Sequence, residues 1–272
     1  MPVKNKSNTL LNSNRMNLEL LHFARGTYPV ANHILSALPV NRFFIVLKNP
    51  NGCKCRMEDE KDSLVFKEGC TYFAPLHRKC RMLLDDELEF ISIHFTLELY
   101  EGVDIFSEFG RICEFQDPQW LRRAQKAFDE ESEFSSALQL KGIVADFAGC
   151  LGELMSQESW ESVTRFAPFK KELDYLQSRP PAQVTVDELA EFHGVSRECF
   201  SRNFTRSTGI TPKKFLTRLL VSRACCELLR ENILIRDIAC KLGFSNEFYF
   251  SRFFSKQMGI SPREYRLRAA LR

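Results

Sequence analysis

The sequence predicts an α+β protein in two parts: an antiparallel β-barrel or jelly roll with helices behind it, then an all-α domain with two helix-turn-helix units. Three observations predict it. One helical pattern is written twice in the last third of the chain. Short apolar runs separated by turn residues fill the first part. Charge also divides between the two: Phe169 to Arg272 carries 19 Lys and Arg against 11 Asp and Glu, net +8, and the residues before it are net −5.

A length of 272 residues suits two domains, each with its own core. Composition, 44% hydrophobic and 27% charged, is that of an ordinary globular protein. A basic half joined to an acidic half points to a polyanion that meets only one of them. No apolar run reaches the roughly 18 residues of a membrane span, so no membrane partner is expected. The start, MPVKNKSNTLLNSNRMN, has no apolar core of signal-peptide length; residues 1–17 are expected to be a disordered leader. Without a secretion signal the ten cysteines are expected reduced in a cytoplasm.

Residues 18–157 are expected to hold the barrel and its helices. Arg42–Leu47 is a compact apolar run, followed by the turn residues Asn49, Pro50, Asn51 and Gly52. Ser63–Phe66, Thr71–Ala74 and Glu89–Phe95 follow at short intervals, the spacing of an antiparallel sandwich or barrel. Such an interior holds one small ligand where side chains leave room. Cys53, Cys55, His77 and Cys80 have the types and paired spacing of a soft-metal site. Residues two apart in a strand also share a face, and free cysteine is a common small core residue, so no metal is expected.

The run Glu68 to His77 (EGCTYFAPLH) resembles the second motif of cupin barrels. Gly69 and Pro75 match, six apart; His77 stands where a glycine is usual, and Cys80 stands at the ligand position. The first cupin motif, with its paired histidines, has no counterpart. The resemblance implies a cupin-like barrel and argues against a metalloenzyme, so neither a cofactor nor a catalytic residue is expected. Two alternatives stay open: a thiol- or metal-responsive protein using these cysteines, and a cupin-type enzyme with an appendage.

Pro118 opens a helix with Trp120, Leu121, Ala124, Ala127 and Phe128 at helical spacing. A second helix over 136–155 places Leu140, Ile143, Val144, Phe147 and Leu151 on one face. That stripe is expected to be split between local packing and the seam of a homodimer. Residues 158–168, polar and ending in proline, are expected to be a linker to the domain at 169–272.

The repeat lies in that domain. Ala190, Gly194 and Ser196 recur as Ala239, Gly243 and Ser245, 49 residues on; Phe204, Gly209, Ile210, Pro212 and Phe215 recur as Phe254, Gly259, Ile260, Pro262 and Tyr265, 50 residues on. One extra residue therefore sits between Ser245 and Phe250. Thr185 and Glu188 form a capping box, Gly194 marks a left-handed turn, and Phe200 and Phe204 set the buried face of the next helix. Thr211-Pro212 opens a connecting helix of about 19 residues, about 28 Å long. Two helix-turn-helix units on such a rod can enter successive major grooves about 34 Å apart, so double-stranded DNA is the expected partner.

The second unit carries Ile238-Ala239, Gly243-Phe244-Ser245, Tyr249-Phe250-Ser251-Arg252-Phe253-Phe254, Gly259-Ile260-Ser261-Pro262 and Tyr265-Arg266. With these residues, 169–268 strongly resembles the AraC/XylS family DNA-binding domain, seven helices with two helix-turn-helix units. The resemblance implies a non-enzymatic transcription regulator, usually an activator that contacts RNA polymerase, with a small-molecule effector for which a carbohydrate is the family-level expectation. It implies base contacts at Glu198, Ser201 and Arg202 in the first unit and Asn246, Glu247, Tyr249, Ser251 and Arg252 in the second. The chemistry fits: Arg pairs with guanine, Asn with adenine, and Glu accepts from cytosine. Arg197, Arg206, Thr211, Lys213 and Lys256 are expected to hold phosphates, which fix register without specifying sequence.

Overall fold

The computed structural model describes residues 13–27, 31–35, 38–230 and 233–270, without the side chains of residues 31–35, Cys53 and residues 268–270. Most of the expected leader, and His33 as a side chain, lie outside the described residues.

Among the described residues there are ten strands: β1 (Asn17–Thr27), β2 (Ala31–Leu35), β3 (Asn41–Lys48), β4 (Arg56–Glu58), β5 (Ser63–Val65), β6 (Thr71–Ala74), β7 (Cys80–Leu84), β8 (Glu89–Tyr100), β9 (Val103–Asp104) and β10 (Cys113–Phe115). Every pairing is antiparallel, as the strand spacing predicts. The strands form two sheets, one in the order β1-β8-β3-β6-β10 with β9 beside β8, the other β2-β7-β4-β5. They do not close into a single barrel, so the jelly-roll half of the expectation describes them. Residue alternation sorts the central strands. Phe44, Val46, Tyr72 and Phe90 face inward, against Met57 and Met82 of the second sheet. Phe43, Ile45, Ile91, Ile93 and Phe95 face outward onto helices. Both faces are buried, so β8 is buried from Phe90 to Tyr100 although polar Ser92, His94, Thr96 and Glu98 alternate with its apolar residues.

The outward face is covered by α1 (Pro118–Phe128) and α2 (Glu133–Glu153). Phe147 stacks on Phe43 with ring centroids 3.9 Å apart, and Trp120 meets both edge-on. The Leu140-to-Leu151 stripe is buried within the chain, leaving Phe134 and Leu138 as the exposed apolar residues of this helix.

The expected linker is structured. Residues Gln157–Thr164 form α3, and Ala167–Phe169 a 3-10 turn. Val163, Phe166 and Phe169, three apart, are buried. Phe166 meets Phe204 and Phe215 at ring distances of 6.0 and 5.6 Å, so this stretch joins the two parts through a shared core instead of a tether.

Seven helices follow among the described residues: α4 (Lys170–Gln177), α5 (Val186–His193), α6 (Arg197–Thr208), α7 (Pro212–Leu229), α8 (Ile235–Leu242), α9 (Glu247–Met258) and α10 (Pro262–Ala270). Their starts are chemically plain. Thr185, Ser196 and Thr211 accept from the backbone N–H three residues on, and proline occupies the first turn of α7 and α10, where its missing donor costs nothing. Half of the expected capping box is absent: the Glu188 carboxylate accepts from the Tyr175 hydroxyl and does not return to Thr185.

Sheet and helix domains meet along α7. Gly102, at φ +72°, brings the β8–β9 turn so close that a Cβ there would lie 2.9 Å from Leu219 Cδ1. Arg223 of the same helix donates to Glu101 and has Glu98 and Glu19 within 3.6 and 3.7 Å. The second unit packs around Leu38 and Val40 of the sheet domain.

Candidate nucleic-acid interface

Each unit is built by the same sequence device. The first helix ends on a left-handed glycine, Gly194 at φ +78° and Gly243 at φ +88°, and a turn leads into the second helix. Ala190 and Ala239 lie buried between the paired helices, where a larger side chain would force them apart. Phe200 and Phe204 in α6, and Phe250 and Phe254 in α9, are fully buried. They are core residues, as their four-residue spacing predicts, and the opposite face of each helix is left to solvent.

A buried carboxylate braces each unit. Glu172 of α4 binds His193, in the last turn of α5, at 2.7 Å; Glu227 of α7 binds Lys241, in the last turn of α8, at 2.8 Å. These pairs span 21 and 14 residues, which hides them from local patterns. A cation in a helix's last turn also complements its dipole.

The caps locate the extra residue of the repeat. Ser196 caps α6, but the cap of α9 is Asn246, whose side chain accepts from the N–H of Phe248 and Tyr249 at 3.0 and 3.1 Å. The insertion is thus in the turn, and the two recognition helices align with a spacing of 50 throughout. Glu198 aligns with Phe248, Ser201 with Ser251, Arg202 with Arg252, and Arg206 with Lys256.

At about 100° per residue, residues 198, 201 and 202 share the α6 face opposite its phenylalanines. On α9 that face is Phe248, Ser251 and Arg252. Arg202 and Arg252 are exposed, and Ser201 and Ser251 half-buried beside them. Tyr249, 59% exposed, flanks the face. Glu247 is half-buried and turns towards the core side, so the geometry does not gather it with the other expected readers. Asn246 has its carbonyl committed to capping, which leaves it a donor and removes the bidentate pairing with adenine. Phe248, 73% exposed, is the residue that motif reasoning passed over. Its signal was an aromatic side chain out of phase with Phe250 and Phe254, and it suits a thymine methyl.

Of the expected phosphate contacts, Arg197 and Lys213 share a shallow hollow beside Thr185. Arg197 is also held by Asp187 at 2.9 Å, a pair that a phosphate would have to displace. Thr211 is exposed and accepts from the Lys214 N–H. Arg206 and Lys256 are exposed at matching places near the ends of α6 and α9.

Where the sheets meet the helical domain, a cleft of about 580 Å³ opens between β8 and α7, lined by Thr96, Glu98, Ser162, Thr208, Arg218 and Ser222 among others. Burial pushes the Glu98 carboxyl up to about 7, against the pull of Arg223. His77 borders the cleft at φ +60°, the conformation that explains a glycine at this place in the cupin motif. Burial, then Arg218, lowers its imidazole to about 4, so it is neutral. Among the described residues no group of three or more His, Cys, Asp or Glu is placed to hold a metal ion; Cys55 and Cys80 both lie in the core between the sheets, and the Cys53 side chain is outside the described residues. Burial also raises the Cys55, Cys70 and Cys80 thiols, the opposite of what a reactive thiolate needs.

Among the described residues no helix is long and apolar enough to cross a membrane. A family described as "Helix-turn-helix domain" matches residues 189–268. The chain is 26% identical over 132 residues to the HTH-type transcriptional activator Btr of Bacillus subtilis, covering 48% of this chain and 24% of that protein. It is 33% identical over 94 residues to the HTH-type transcriptional activator RhaS of Yersinia pestis, covering 35% and 34%. It therefore spans about a quarter to a third of the curated relatives it matches. The fold as a whole is similar to that of ToxT from Vibrio cholerae, with a TM-score of 0.54 at 12% identity over 93% of this chain and 98% of that one.

Proposed function

We propose that this chain, which belongs to the AraC/XylS family by its C-terminal helix-turn-helix domain, is a cytoplasmic, sequence-specific regulator of transcription, an activator that contacts RNA polymerase, and not an enzyme. The observation that carries the reading is the pair of matched recognition faces, Glu198, Ser201 and Arg202 on α6 and Phe248, Ser251 and Arg252 on α9. The rod between them, α7, has 18 residues, about 27 Å at 1.5 Å per residue, close to one turn of duplex. Arg202 and Arg252 read guanine, Tyr249 and Phe248 add apolar contact, and Arg206, Lys213 and Lys256 hold the backbone. Asn246 and Glu247 take supporting places, and Arg197 contacts phosphate once Asp187 releases it.

The sheet domain senses a small molecule, with carbohydrates the first class to test, and its state reaches the DNA-binding units through α7. Glu98 borders the cleft and also faces Arg223 of that helix, so whatever shifts one bears on the other. Exposed Phe134 and Leu138 on α2 supply the seam of a homodimer. Selection of bound duplexes from a random pool tests the central reading. The expected product is an asymmetric site whose two protected segments lie one turn apart on one face. Recovery of no enriched sequence would sink it.

A further inference from the structure

The inner face of the larger sheet is apolar at one end only. Phe44, Val46 and Phe90 belong to the core between the sheets, but the same face continues through Arg42 on β3 and Ser92 and His94 on β8. His94 lies opposite Arg42 in register and opposite His22 of β1 on its other side. The two histidine rings are 4.7 Å apart, and the Ser92 hydroxyl is 3.2 Å from His94 Nε2.

Arg42 is the anomaly. It is 1% exposed. One guanidinium nitrogen, Nη2, donates to the Arg78 carbonyl at 3.4 Å and lies 3.7 Å from Cys80 Sγ. Nε and Nη1 are buried with no hydrogen-bond partner, and Arg42 is absent from the ion pairs among the described residues. The nearby groups that interact with its charge are the Cys80 thiol and the Tyr265 phenol of α10, both neutral near pH 7 by their ordinary chemistry. A buried charge without a counter-ion is among the costliest features a fold can retain. Its place is also specific: Val40, two residues before it, packs in the core of the second helix-turn-helix unit, and Phe44, two residues after it, packs between the sheets.

We propose that Arg42 anchors the anionic group, carboxylate or phosphate, of a small-molecule effector bound inside the sandwich where it adjoins the second reading unit. This rests on the reading of the sheet domain as a sensor and deepens it. A guanidinium offers planar, always-charged donors that match these oxyanions, and the unpartnered nitrogens are the ones a ligand would satisfy. Ser92 supplies a hydroxyl on the same face. A neutral sugar would leave the charge uncompensated, so the effector is distinguished from a simple carbohydrate by its charge. Because Arg42 lies between Val40 and Phe44, occupancy bears on the packing of α10 and α7 as well as on the sheets.

The test is thermal unfolding of the full chain with gluconate, glucose 6-phosphate and benzoate, set against the neutral glucose and benzamide. At least one anion is expected to raise Tm by several degrees, by mass action, with its neutral counterpart leaving it unchanged. Gluconate against glucose 6-phosphate separates carboxylate from phosphate. Arg42→Met is expected to abolish the shift while unfolding no lower than the parent, since it removes an uncompensated charge; Arg42→Lys keeps the charge and is expected to retain a reduced shift. A shift from the neutral probes alone, a shift that survives in Arg42→Met, or no shift from any anion each overturns the inference. Gel shifts of Arg42→Met on a selected duplex keep the two readings apart, because intact DNA binding with no anion effect rejects the effector class and leaves the regulator standing.

Discussion

The two helix-turn-helix units share a plan and differ in what holds them. Both have the alanine between the helices, the left-handed glycine, the paired phenylalanines and a buried glutamate bracing the last turn of the first helix. The first unit is set into the body of the protein through Phe166 and Phe169, and its cap is a plain serine. The second is seated on Leu38 and Val40, takes one more residue in its turn, and spends an asparagine on the cap. Where the first presents Glu198, the second presents Phe248. The repeat thus keeps the scaffold and differs on the exposed face, because the buried face of a helix is constrained by its neighbours and the solvent face is not.

The comparison can be broken most forcefully in the cores. Phe200→Ala and Phe250→Ala each remove a fully buried ring and are expected to cost about 3–5 kcal/mol. If the units share one cooperative core, both variants lower a single transition in urea; a separate early transition in one of them would mark that unit as independent. Next come the proposed readers. Arg202→Ala and Arg252→Ala are expected to weaken binding to a selected site by about 1–3 kcal/mol each and to relax specificity in different halves of it. Equal affinity for both variants and the parent would remove these arginines from the base contacts.

The glycines distinguish the turns. Gly194→Ala meets no atom within 4 Å, whereas a Cβ on Gly243 would stand 2.7 Å from Pro180 Cβ. Both carry the left-handed penalty of about 1 kcal/mol, so Gly243→Ala is expected to be the more destabilising in calorimetry; equal losses would show that Pro180 gives way freely. The smallest effect concerns the rod they share. With Glu98 raised to about 7 by burial and Asp104 raised to about 6, the folded state binds protons more tightly than the unfolded one. The stability these groups contribute is complete below the ordinary carboxylate range and is lost as pH rises towards 7. Tm is expected to fall between about pH 4 and pH 7, and Glu98→Gln to flatten that slope; an unchanged slope would assign it to other groups.

What could be read from the sequence was what is local. Thr71–Ala74 appears as β6 with the same ends, and Thr185 and Thr211 cap the helices the sequence placed after them. The repeat was legible because a buried phenylalanine every four residues leaves a periodic trace. Strand β1 was not, since NLELLHFARGT is half-buried from Leu18 to Ala24 and carries no sustained alternation. The stretch 158–168 misled because its polar residues outnumber Val163 and Phe166, the two that are buried with Phe169 just after it. The hold of Glu101 on Arg223, 122 residues apart, leaves no local mark. Nor does the burial of Arg42, the one charged residue of the run used to find β3. The cap of α9 shows the limit within a motif: Ser245 matched Ser196 by letter, but the turn lengthened and Asn246 took over the role.

The segment Pro180–Gln183 gives the second turn a neighbour that the repeat itself does not supply. The Ala182 N–H donates to the Leu242 carbonyl at 3.0 Å, Gln183 reaches the Gly243 carbonyl at 3.4 Å, and only a hydrogen fits at Gly243. Chain entering the first unit is thereby fastened to the elbow of the second, and α7 fastens them again from below. Two heads joined at two points form a gauge of fixed pitch. If the two heads read one duplex as proposed, then at about 34° of turn per base pair one pair added between the half-sites would rotate the second groove away from its head.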